Sequence, residues 1–151
     1  FSVYARLKAG DYTDAGWLIG FRKKAAHAAD FNNYTDLAGV GTIATVAGAT
    51  PNGDLISTNG ILNNAATVTT STGVIPADAA YVTVEVLVKT TGVVTVKVND
   101  VAYPVYSAGT TALILDAGDI MIPFVRYANI STGDPDLVLN EVAAVSAIWK
   151  Y

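Results

Sequence analysis

The sequence predicts an all-β protein, a sandwich of two antiparallel sheets. Composition is the first observation behind this. Hydrophobic residues make up 52% of the 151 positions, and charged residues only 15%, against about 25% in an ordinary domain. The apolar set is β-prone, with nineteen Val beside seventeen Thr and eight Tyr. Alanine is abundant, but Lys, Glu and Leu are too sparse for a helical bundle. The second observation is the stretch Tyr81–Lys89, which alternates strictly. Val82, Val84, Val86 and Val88 share one face, with Tyr81, Thr83, Glu85, Leu87 and Lys89 on the other. Third, short β-type runs recur about 8–12 residues apart, and no pattern of helical period is long enough to cover a sheet.

The elements follow in order. Phe1–Lys8 reads as a strand, Asp11–Gly16 as a turn and Trp17–Lys23 as a second strand. There Trp17, Ile19 and Phe21 share a parity and are assigned to the core. Residues 24–37 form a polar loop with a short helical turn expected at Ala25–Ala29. Gly39–Val46 is a Gly-rich strand whose glycines permit a bulge or close packing. Asn52-Gly53 and Asn59-Gly60 both carry the tight hairpin-turn signature. Ala66–Thr72 is a Thr-rich, exposed strand, and Pro76 interrupts the connection that follows. After Tyr81–Lys89, Val94, Val96 and Val98 continue the meander. Asn99-Asp100 turns it, and Val101–Tyr106 returns. Ala112–Leu115 is a short strand and Asp116–Asp119 a turn. Ile120–Tyr127 is a strand whose Pro123 marks an edge or a bulge. Leu137–Tyr151 closes the domain as a strand. Residues 1–151 are thus read as one domain, large enough to bury about 68–70% of its unfolded surface.

Composition also excludes chemistries. There is no cysteine, hence no disulfide and no Cys-ligated metal centre. The single histidine, His27, permits no multi-histidine site within one subunit. A net charge of −4 argues against nucleic-acid binding. No stretch of 18 apolar residues exists for a spanning helix. The chain opens at Phe1 on a strand rather than a signal peptide, which marks it as a processed chain or a segment of a longer one.

The order "FSVYARLK", "GWLIGFRKK", "AGVGTIATVA", "YVTVEVLVKTTGVVTVKVNDVAYPV" and "DAGDIMIPFVRYANISTGDPDLVLNEVAAVSAIWK" resembles the concanavalin A-like jelly roll of laminin G and legume-lectin type. More narrowly it is similar to versions carried on virion proteins of tailed bacteriophages. There a "FGFR"-like strand precedes the long loop, a "V-x-V-N-G-V" hairpin sits mid-domain (here Val96–Val101, with Asp100 in place of Gly), and a "liPfv" strand (here Met121–Val125) precedes the last one. The resemblance implies a non-enzymatic virion structural protein. In that reading it is a capsid decoration or cement module, a homo-oligomer (a trimer) bound to the major capsid protein or other virion proteins at the capsid surface. The alternative is a carbohydrate-binding, lectin-like module of a phage fibre or bacterial surface protein, with an extracellular location. Neither reading involves nucleic acid or membrane.

Glycan hydrolysis on this fold takes two carboxylates flanking the bond. Glu85 is the one acid on the expected strand, and Glu141 lies on another, so no catalytic residue is assigned. Asp30, Asn32 and Asp36 form an oxygen-rich loop, a weak candidate for Ca²⁺ against capping of the loop's own turns. No other cofactor is expected. Asp116–Asp119 and Asp134–Asp136 read as plain turns. Arg22, Lys23 and Lys24 form a basic cluster suited to an acidic surface or to a solvated loop. Tyr34, Tyr103 and Tyr127 are the candidates for an interface or for stacking on a ligand. His27 reads as an ordinary loop histidine.

Overall fold

The computed structural model describes residues 1–12, 15–26, 28, 31–43, 55–108, 111–129 and 138–145; at 15, 128, 129 and 138–145 it describes the backbone alone. The described residues form twelve strands. They are β1 (Ser2–Lys8), β2 (Ala15–Lys23), β3 (Leu37–Gly41), β4 (Ser57–Ile61), β5 (Val68–Ser71) and β6 (Tyr81–Val88). They continue with β7 (Val94–Val98), β8 (Val101–Pro104), β9 (Tyr106–Ser107), β10 (Thr111–Ala112), β11 (Met121–Asn129) and β12 (Val138–Val145). The first sheet has the order β12-β1-β6-β7-β8 and the second β11-β2-β3-β4-β5, while β9 and β10 pair separately. Every pairing between these strands is antiparallel. No helix among the described residues is long and apolar enough to cross a membrane.

Period-2 alternation sets the core. The valines of β6 pair with Val94, Val96 and Val98 of β7 and with Val3 and Ala5 of β1. All point inward with Leu7, and each is at most 3% exposed. From the second sheet come Trp17, Ile19, Phe21, Ala38 and Val40, also buried. The expected core parity of β2 is therefore met. Phe1 closes one end, its ring edge-on to Phe21 at 4.8 Å, and its ammonium donates to the Val88 carbonyl at 2.9 Å. Pro123 lies on β11, the edge strand of the second sheet, where a missing N–H costs no ladder bond.

In the middle of the second sheet, β3 and β4 are buried on both faces along their whole length, whereas β5 and the edge strand β11 are partly exposed. Leu18, Leu37 and Ile61 form a second cluster on the sheet's outer side with Phe31, Tyr34 and Ile43, and Ala28 and Phe124 pack against it. The cover includes a 3-10 turn at Phe31–Asn33. The helical turn expected at Ala25–Ala29 includes positions outside the described residues, as do Asn52-Gly53 and the end of Gly39–Val46.

One turn assignment is corrected. Asn59 and Gly60 lie inside β4, not in a turn. Asn59 Nδ2 donates to the Ile43 carbonyl at 3.2 Å, and its Oδ1 accepts from Thr69 Oγ1 at 2.8 Å. Gly60 is where β9 crosses, so close that a Cβ there would collide with the Tyr106 carbonyl. Tertiary contacts have recruited a turn dipeptide into a strand. The turn itself falls at Asn63-Asn64, both at positive φ (52° and 60°), closed by the Ala65 N–H to Leu62 carbonyl bond at 3.0 Å. Asn99 and Asp100 behave as expected, with φ of 48° and 66° between the paired Val98 and Val101. That is the two-residue primed hairpin turn.

Candidate functional site

The two sheets differ in what covers them. The middle of the second sheet's outer face is covered by its own loops, whereas the first sheet's outer face carries half-buried and exposed polar side chains. Registration places Tyr4 beside Glu85, Arg6 beside Thr83 and Lys8 beside Tyr81. It also places Glu85 beside Lys97 and Leu87 beside Thr95. Because β6 alternates, all of these face away from the core. The Arg6 guanidinium lies 4.1 Å from the centre of the Tyr81 ring, and the Lys8 ammonium 5.8 Å from it. Tyr81 is still 44% exposed. Lys97 donates to Glu85 Oε2 at 2.9 Å. That bond, with the carboxylate's charge, raises the lysine pKa above its ordinary value. A dimple of about 20 Å³ between Tyr4, Thr83, Glu85, Lys97 and Asp100 has room for a water molecule. Among the described side chains, Arg6, Lys8 and Lys97 therefore share this face with two carboxylates, Glu85 and Asp100, in a chain whose net charge is −4.

A cleft of about 340 Å³ opens at the end of the sandwich, within the usual range for small-molecule sites. Phe1, Val88, Ile114, Leu115 and Met121 line it, with Lys89, Thr90, Thr91, Asp116 and Asp119 as its polar groups.

The sequence candidates are distributed as follows. Lys23 turns to acids of its own chain, donating to Asp119 Oδ1 at 2.7 Å and lying 3.5 Å from Asp36 Oδ2. The bond to Asp119 is the main cause that raises its pKa. The Arg22 guanidinium lies over the Tyr34 ring at 4.6 Å and donates to the Ala25 carbonyl at 3.2 Å. Of the three cations only Lys24 is exposed, so the cluster does not form a basic patch. Tyr34 is corrected from a surface contact to a core residue. It is 5% exposed, and its hydroxyl accepts from the Ala28 N–H at 3.1 Å. Tyr103 packs half-buried against the main core. Tyr127 is 44% exposed on the edge strand β11.

The proposed calcium loop divides. Asp30 and His27 lie outside the described residues, as do Asp134–Asp136. Asn32 accepts a hydrogen bond from the Thr67 hydroxyl. Asp36 faces Asp116 and Asp119 instead, with one carboxylate oxygen of each within 4.8 Å of the others. Sequence reasoning took Asp116–Asp119 as a plain turn. Its positions carry no sign of Asp36, 80 or more positions earlier in the chain. Glu85 is held by Lys97. Backbone register sets position 141 opposite Arg6, on the far side of β1 from β6.

No protein-family model and no curated protein matches the sequence. Solved structures do. An alginate lyase from Pseudomonas aeruginosa aligns over 94% of this chain at 13% identity and a TM-score of 0.54; the chain spans 62% of the length of that lyase. Lactose- and MES-liganded congerin II aligns over 94% of this chain and 88% of its own at 8% identity, TM-score 0.48. A toad ovary galectin in complex with thio-digalactose aligns over 94% and 87% at 14% identity, TM-score 0.47. With the strand order above, the likeness to the lyase defines the class: the chain is a concanavalin A-like jelly-roll sandwich. At these identities the likeness extends to the fold and no further.

Proposed function

We propose that the chain is a non-enzymatic carbohydrate-binding module whose platform is the outer face of the β12-β1-β6-β7-β8 sheet. The observation that carries this reading is the asymmetry of the sandwich. One sheet's outer face is spent on a second hydrophobic cluster. The other presents Tyr4, Tyr81 and several hydroxyl, cationic and carboxylate groups in register. Sugars bind where an aromatic face and convergent hydrogen-bonding groups lie side by side. Among the described side chains Arg6, Lys8 and Lys97 outnumber Glu85 and Asp100 on this face, which favours an acidic glycan over a neutral one. Glu85 serves the platform by holding Lys97.

The test is calorimetric titration with acidic and neutral oligosaccharides. The acidic set binds, and Tyr81→Ala weakens binding by about 0.5–1.5 kcal/mol, up to roughly tenfold in Kd. Equal binding by the wild type and by Arg6→Ala/Tyr81→Ala removes the platform from consideration.

A second reading keeps the virion setting that the sequence motifs imply: a decoration module, homo-oligomeric on a phage shell. Ile75, Val101, Ile114 and Ile120, each 47–66% exposed, favour it, because a surface covered in an assembly tolerates such side chains. A virion map with the chain at a fixed shell site supports this reading, and monomeric chains that ignore capsids exclude it.

A further inference from the structure

Three carboxylates from distant parts of the chain converge beside the 340 Å³ cleft. Asp36 precedes β3, while Asp116 and Asp119 bound the turn that forms one wall of the cleft. Asp36 is 1% exposed. Its Oδ1 accepts the Asn63 N–H at 2.8 Å. Its Oδ2 receives no hydrogen bond, and neither does the buried Oδ2 of Asp119. A buried carboxylate oxygen without a donor is costly and is retained where a cation compensates it. Among the described residues the cation ion-paired with these carboxylates is Lys23, committed at 2.7 Å to Asp119 Oδ1 and only 3.5 Å from Asp36 Oδ2. One ammonium against three carboxylates leaves a formal −2.

We propose that Asp36, Asp116 and Asp119 bind a divalent cation, calcium, whose remaining coordination positions open into the cleft. Calcium takes 6–8 oxygens in flexible geometry, and three carboxylates supply three to six of them. The cleft has room for the water or hydroxyl oxygens that complete the set. Magnesium fits less well, since it keeps several waters and demands near-octahedral geometry. Lys23 touches the same carboxylates and acts as a built-in competitor. The affinity therefore falls in the weak range of extracellular calcium modules, on the order of 10⁻⁴–10⁻³ M. The site joins the second sheet to the cleft wall and does not depend on the glycan platform.

Calorimetric titration with CaCl2 and thermal melts at matched ionic strength test it on the wild type, Asp116→Asn and Lys23→Met. The wild type binds weakly and melts higher with calcium. Asp116→Asn, at an exposed position, folds and loses about tenfold or more in affinity. Lys23→Met is destabilised without calcium, is restored by it and binds more tightly than the wild type. The proposal is overturned if neither the wild type nor Lys23→Met responds to calcium. It is also overturned if Asp116→Asn binds as the wild type does, because the ion is then held elsewhere.

Discussion

Asn59 is fully buried, and both ends of its amide are bonded, to Ile43 and to Thr69. Asn59→Ala removes both partners of those groups and leaves a buried carbonyl and hydroxyl to find others. We expect a loss of about 1–3 kcal/mol, read from denaturant unfolding. Tyr12 carries a second residue-scale effect. Burial is the main cause that raises its pKa, and its hydroxyl donates to the Ala80 carbonyl at 2.9 Å. A raised folded pKa means that folding favours the protonated phenol. That stability is complete below the unfolded value, near about 10, and is lost as pH climbs through the folded value. Lys23 and Lys97, also raised, give the same sign. Unfolding should therefore set in on the alkaline side. Tyr12→Phe should flatten that limb in melts across pH 9–12, and an unchanged limb assigns it to the lysines alone.

At the scale of the element, β4 and β11 show how neighbours decide a strand. Gly60 faces the backbone of β9, so Gly60→Ala forces the crossing segment outward, at about 1–3 kcal/mol for overpacking. The expected result is a lower denaturation midpoint with loosened β9, seen as faster amide exchange around Tyr106. On β11 the proline guards an edge. Pro123→Val restores an N–H on an exposed edge strand and should increase self-association in light scattering without lowering the melting temperature. The hairpin at Asn99-Asp100 was legible from sequence because its geometry is local. Both residues tolerate positive φ, and the alternating valines on either side fix the register. The Asn59-Gly60 dipeptide carries the same local signal and yet is a strand, since its partners Ile43, Thr69 and Tyr106 are distant in sequence.

For the whole molecule, the sandwich leaves one sheet's outer face open and covers the middle of the other's. Period-2 alternation announces which residues of β6 and β7 face inward. It does not announce that Leu18, Leu37 and Ile61 meet a loop on the far side of the other sheet. That second cluster took Tyr34 out of the surface candidates. It also left the first sheet's outer face as the polar one, where Tyr81, Arg6 and Lys8 meet by register between strands far apart in the chain. Lys23 and Asp36 were both singled out in sequence, but for separate roles. Asp119, which joins them, was passed over as a turn residue.

The sequence alone determined the all-β class, the valine core of the β6-β7 hairpin and the absence of cysteine and histidine-cluster chemistry, and it narrowed Pro123 to an edge or a bulge. These follow from composition and from patterns of near neighbours. Only the tertiary structure decided which sheet face is open, which Asn dipeptide turns, and that Asp36, Asp116, Asp119 and Lys23 share one site. The physical reason is that a carboxylate's partners are set by the packing of strands. Antiparallel pairing across two sheets brings together residues whose separation in sequence carries no trace of the contact.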